Sequence, residues 1–134
     1  MSMDAHDRIK SLLADLSEPQ REAVTHTEGP LLILAGPGSG KTRVLVFRVA
    51  YLVERGVRPD EILLLTFTRK AAEEMLRRAT SLAAVDDSLT KRIWGGTFHA
   101  TGNRLLRICA KAAGLSPEFT ILDQSDAEDF MNLV

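Results

Sequence analysis

Residues 35–42 read Ala35-Gly36-Pro37-Gly38-Ser39-Gly40-Lys41-Thr42. They match the phosphate-loop pattern GxxxxGK[ST], with Ala35 at the first glycine position. Each residue type fits the chemistry of a triphosphate. Glycines let backbone N–H groups turn toward phosphate oxygens with no Cβ in the way. A helix that starts at the loop directs its partial positive charge at the same anion. Lys41 is expected to reach the β and γ phosphates, and the Thr42 hydroxyl to hold Mg²⁺. Hydrolysis asks for more: a second strand ending in an acid that holds the metal through water. The nearest match is Phe119-Thr120-Ile121-Leu122-Asp123, interrupted by Thr120 and followed by Gln124 instead of a second acid. Asp123 is therefore expected in the entry turn of the last helix.

A loop of this kind needs a buried strand before it and a helix after it. Leu31-Leu32-Ile33-Leu34-Ala35 is a continuous apolar run, as expected of a strand buried on both faces of a parallel sheet. A largely apolar helix should run from about 41 to 55, with Gly56 as its stop. After the turn at Pro59-Asp60, a second buried strand is expected over 62–67, a helix over 70–79 and a third strand over 93–98. A helix over 100–113 should end at Gly114. Upstream, Ile9, Leu12, Leu13 and Leu16 recur at helical spacing. Ser17-Glu18-Pro19-Gln20 has the form of a capping box, opening a short helix through Val24. Ser125 and Glu128 form another such box, before a last amphipathic helix in which the chain ends, an end that reads as a cut. Alternating strands and helices predict an α/β fold with a parallel sheet flanked by helices.

The chain has 134 residues, the size of one domain, with 45% hydrophobic and 26% charged residues and a net charge of −1. Such a composition excludes a disordered tail. No apolar run approaches the roughly 18 residues that span a bilayer, and residues 1–7 lack a secretory apolar stretch. One cysteine, Cys109, excludes an internal disulfide. A soluble, cytoplasmic protein without membrane contact is expected. Lys91, Arg92, Arg104, Arg107 and Lys111 lie in a stretch without acids, and residues 112–134 carry five acids and no base. A basic face beside an acidic one, or two solvated helix surfaces, would explain this. Trp94 and Cys109 read as core.

From Leu16 onward the chain resembles the superfamily 1 DNA helicases of the UvrD/PcrA/Rep type. Leu16-Ser17-Glu18-Pro19-Gln20 is similar to their Q motif, which implies that Gln20 recognises adenine as well as capping a helix. Gly40-Lys41-Thr42-Arg43-Val44-Leu45 continues their motif I, which implicates Arg43 beside the adenine, the alternative being a solvated arginine. Thr66-Phe67-Thr68-Arg69-Lys70-Ala71-Ala72-Glu73-Glu74-Met75 resembles motif Ia, with Arg69 where the motif has asparagine. Gly96-Thr97-Phe98-His99 and Asn103-Arg104-Leu105-Leu106-Arg107 look like motif Ib. The resemblance makes Thr66, Phe67, Thr97 and His99 candidate contacts to single-stranded DNA. Phe67 could instead be a core side chain, and His99 a packed turn residue.

The resemblance implies a P-loop, RecA-like core of which residues 1–134 supply the amino-terminal portion of the first motor domain. The helix at about 125–134 would begin an inserted helical subdomain. The implied activity is ATP-dependent 3′–5′ translocation and unwinding of DNA in repair or replication, with ATP and Mg²⁺ as cofactors and the remaining helicase domains joined in cis. The isolated chain should bind nucleotide and not unwind. Two other readings stay open: a small P-loop nucleotide kinase or switch, and a non-catalytic regulatory fragment.

Overall fold

The computed structural model describes residues 5–83, 91–122 and 124–132. In chain order the elements are α1 (Ala5–Ala14), α2 (Glu18–Thr25), α3 (Lys41–Glu54), a 3-10 turn (Pro59–Glu61), β1 (Leu63–Thr66), α4 (Arg69–Leu82), β2 (Trp94–Thr97), α5 (Phe98–Ile108) and α6 (Gln124–Asn132). They divide into two compact units, Met1–Thr101 and Gly102–Val134. No helix among the described residues is long and apolar enough to cross a membrane.

The first unit is built around α3. Val44, Val46, Phe47, Val49, Ala50 and Tyr51 are all buried on it. Leu12 and Leu16 meet this helix from the α1 side, Val24 from α2, and Ala79 from α4, forming one hydrophobic cluster. Arg8 of α1 adds an ion pair of 2.9 Å to Glu54 at the far end of α3. The helix stops where the sequence predicts. Gly56 at φ +88° donates to Val53 O at 2.9 Å and Val57 donates to Leu52 O at 3.0 Å, the paired bonds of a left-handed C-terminal cap.

β1 and β2 form a two-stranded parallel sheet, with Leu63 opposite Trp94, Leu64 opposite Gly95, Leu65 opposite Gly96 and Thr66 opposite Thr97. α4 crosses between them, as a parallel connection requires. The chain thus mixes helices with a small parallel sheet. Its sheet is smaller and less covered than the sequence suggests. Leu64 is 7% exposed but Leu63 is 50% exposed, so β1 buries one face, not both. Gly95 admits α4 closely, since a methyl group there would lie 2.3 Å from Leu76 Cδ1.

Residues 31–35 correct a second expectation. They lie outside any strand. Ile33 packs on the core, yet Leu32 and Leu34 are 81% and 86% exposed. A strand needs a neighbour for its N–H and C=O groups, and no described segment provides one here. The alternation of inside and outside residues nevertheless keeps a strand's period of two.

In the second unit, helical turns continue from α5 to Gly114. Leu115 N–H donates to Ala110 O at 2.9 Å and Gly114 N–H to Lys111 O at 3.2 Å. Arg107 then ties the following loop, donating to Pro117 O at 3.1 Å and lying 4.7 Å from the Phe119 ring centre. Ala110 is buried, whereas Cys109 is exposed, contrary to the expectation that it packs in a core. Both lie in the turns after α5, which buries none of its own residues. Trp94 is half-buried. Asp123 and the Ser125 side chain of the expected second capping box lie outside the described residues.

Two outcomes are expected. Thr68 caps α4 by accepting from Ala71 N–H at 3.2 Å, so Thr68→Ala should cost about 1 kcal/mol in denaturant unfolding. On the same helix, hydrogen bonds from Arg77 and then Arg78 lower the Glu74 carboxyl from 4.5 to about 2. A depressed carboxylate stabilises the fold above its unfolded value, and that contribution fades as pH falls from 4.5 through about 2. An NMR titration of Glu74 should show the low midpoint, moving back toward 4.5 when both arginines are replaced by alanine.

Candidate functional site

The segment at 35–40 leads the chain from residues 31–34 into α3. Ser39 closes the turn: its N–H donates to Gly36 O at 3.3 Å and its hydroxyl donates to the same oxygen at 2.6 Å. Gly40 adopts φ +83° as the N-cap of α3, a left-handed conformation that strains any residue with a Cβ. Its carbonyl accepts from Val44 N–H at 3.0 Å. At the first helical position, the Lys41 ammonium folds back to donate to Ala35 O at 2.9 Å and Gly36 O at 2.8 Å. A cation is thereby held against the loop that precedes it. Gly36, Pro37, Gly38, Ser39, Lys41 and Thr42 are exposed, and a methyl group on Gly36 or Gly38 would meet nothing within 4 Å. Open space along the loop, an ammonium group and an accessible hydroxyl suit a phosphate chain with a hard cation.

Gln20 and Arg43 flank this loop. Gln20 Oε1 accepts from Ser17 N–H at 3.2 Å, the backward reach expected of a capping box, while Nε2 donates to Ser39 O at 3.4 Å. One amide therefore joins the start of α2 to the loop. Arg43 donates to Asp15 O at 3.0 Å, and its guanidinium carbon lies 5.1 Å from the Phe47 ring centre. Gly40 sits between the two, since a methyl group there would lie 3.1 Å from Gln20 Nε2 and 3.8 Å from Arg43 Cβ. Of the two, Arg43 also lines a cleft of about 430 Å³ that includes Phe47, Arg77 and Leu82.

The second group of candidates lies at the carboxyl ends of the parallel strands. Pairing of Thr66 with Thr97 sets the two segments in step, so that Phe67 and Phe98 follow side by side with ring centres 6.0 Å apart and planes tilted by 47°. Phe67 is 93% exposed, which overturns its reading as a core side chain, and His99 is exposed as well. Thr66 is buried and donates its hydroxyl to Thr68 O at 2.7 Å; the Thr97 hydroxyl accepts from Ala100 N–H at 3.2 Å. Both threonines thus shape the turns from which the rings emerge. Phe98 was not singled out from the sequence, although Thr-Phe recurs at 66–67 and 97–98, and that repetition is the signal that could have found it. Arg92, in the basic stretch, is engaged with Asp60 at 2.9 Å.

Comparison with known proteins bears on what such a pair of sites is for. The family described as the UvrD/REP helicase N-terminal domain matches residues 16–134. The chain is 47% identical over 127 residues to an ATP-dependent DNA helicase PcrA from Leuconostoc citreum, covering 94% of this chain and 17% of that protein. It is also 47% identical over 119 residues to proteins of the same name from Staphylococcus epidermidis and Staphylococcus aureus, covering 88% of this chain and 16% of each. The chain spans about a sixth of the length of the curated relatives it matches.

The geometry at Gly40 can be tested without any ligand. Gly40→Ala should lower unfolding stability by about 1–2 kcal/mol, from the left-handed backbone alone. Gly36→Ala, which meets open space at a position without positive φ, should be nearly neutral in the same denaturant titration.

Proposed function

Because this chain belongs to the UvrD/Rep helicase family, we propose that residues 1–134 are the amino-terminal portion of the first ATP-binding motor domain of a 3′–5′ DNA helicase. The core is then a P-loop, RecA-like one, and α6 is the start of an inserted helical subdomain. The observation that carries the reading is the hold of Lys41 on Ala35 O and Gly36 O, at the head of a helix capped by a left-handed glycine. An ammonium group so placed exchanges two neutral carbonyls for phosphate oxygens with little movement of the backbone.

In this reading the loop 35–42 holds the triphosphate, with Lys41 on the terminal phosphates and Thr42 on Mg²⁺. ATP supplies the phosphoryl group whose hydrolysis powers movement. Gln20 and Arg43 face the adenine. Gln20 already touches the loop carbonyl at Ser39, so base and phosphate contacts are made by one connected piece of chain. Phe67 offers a ring for a DNA base, worth about 1–3 kcal/mol by stacking, with Thr66, Thr97 and His99 along the same edge. Leu32 and Leu34 give the remaining helicase domains, joined in cis, an exposed apolar segment to pack against.

This chain alone lacks an arginine offered to the phosphates by a partner domain, which can be worth about 10³–10⁵ in rate. It should bind ATP with negligible turnover and no unwinding. Calorimetric titration with a non-hydrolysable ATP analogue and Mg²⁺ should give measurable binding to the chain. Lys41→Ala should weaken it by about 10- to 100-fold, the worth of a charge-assisted hydrogen bond. Unchanged affinity in Lys41→Ala contradicts the assignment of the site, and DNA-stimulated hydrolysis by these 134 residues contradicts the predicted inactivity.

A further inference from the structure

We propose that Arg69 binds a backbone phosphate of the single strand whose base stacks on Phe67; the inference rests on the DNA reading given above. Arg69 begins α4, two residues beyond Phe67. It is exposed and, among the described residues, its side chain makes no hydrogen bond and no ion pair. Most other arginines of the first unit are committed to the fold, Arg43, Arg48 and Arg21 to backbone carbonyls and Arg77 and Arg78 to Glu74; Arg55, at the far end of α3, is not. Glu73, one turn along α4, is exposed and does not pair with Arg69, consistent with the poorer geometry of a base placed before an acid on a helix.

The position is also unfavourable for stability. α4 opens with Arg69 and Lys70 and has no acid in its first turn. Cations there oppose the helix dipole. A fold without an anion to meet would gain from a neutral or acidic residue at Arg69. Two residues before it in sequence stands the exposed Phe67 ring, with the Phe98 ring centre 6.0 Å away. An exposed ring followed two residues later by an exposed guanidinium offers the two kinds of group that a single strand alternates, base then phosphate. Arginine presents a planar set of donors suited to phosphate oxygens, which an amide lacks. Arg69 is also where this chain departs from the asparagine of the motif it resembles.

The test is binding of a fluorescently labelled oligothymidylate to the chain, by anisotropy, between about 50 and 200 mM salt. Arg69→Gln should lower affinity and reduce the slope of log K against log salt by about 0.7, the value for one phosphate contact on a single strand. Arg69→Lys should keep the slope, and Arg69→Gln should melt no lower than the parent chain. Phe67→Ala should weaken binding at every salt concentration with the slope unchanged. An unaltered slope in Arg69→Gln, together with weakened binding in Phe67→Ala, overturns the role of Arg69 and leaves the DNA floor standing. Binding that survives Phe67→Ala unchanged overturns the floor itself, and no binding by the parent chain overturns both.

Discussion

The confinement of α3 governs the first unit. Helices α1, α2 and α4 all pack on it, and six of its side chains are buried. Burial of that many apolar groups, each worth about 1.5–3 kcal/mol for a full Val or Phe side chain, leaves the helix no freedom to slide or turn. Its first residue is Lys41, so the position of the loop is a consequence of packing further down the helix. The same packing brings α2 alongside, and Gln20 reaches the loop from there. A site assembled this way owes its geometry to the core, and the polar side chains within it need only short hydrogen bonds to settle.

A second constraint acts at the other site. Parallel pairing in one register aligns the ends of β1 and β2, and the chain leaves each strand through a Thr-Phe pair. The hydroxyls of Thr66 and Thr97 are spent on the turns that follow. What remains exposed is aromatic, with Arg69 close by in sequence. Both candidate sites thus lie where a strand-like segment gives way to a helix, and α4, which packs on α3 and borders both strands, is the element common to their support.

Much of this was legible in the residues. The glycine spacing of 36–40 gave the loop, and the left-handed angles at Gly38 and Gly40 show why glycine stands there. Gly56 marked the end of α3 because only its paired cap bonds use a left-handed residue cheaply. Apolar runs located β1 and, through Ile93, the start of β2. What could not be read was partnership. Leu31-Leu32-Ile33-Leu34 has a strand's composition, but pairing depends on a neighbour that local sequence does not reveal. Half-burial of β1, with Leu63 outside, follows from the same cause, because an apolar residue's burial is decided by what covers it. Cys109 is exposed for a related reason: it follows α5, a helix that buries none of its own residues, so cysteine's usual preference for a core meets nothing that covers it. The Phe67–Phe98 contact joins residues 31 apart in sequence and required the register itself.

The central claim is that two separate surfaces of one scaffold meet two different ligands. Amide chemical-shift mapping tests it most directly. Addition of Mg²⁺ and a non-hydrolysable ATP analogue should move the signals of residues 35–43 together with the Gln20 side-chain amide. Addition of single-stranded oligothymidylate should move those of 66–70 and 97–99 and leave the loop largely in place. Shifts from both ligands falling on one common set of residues, or on neither set in a chain that is demonstrably folded, would contradict the account.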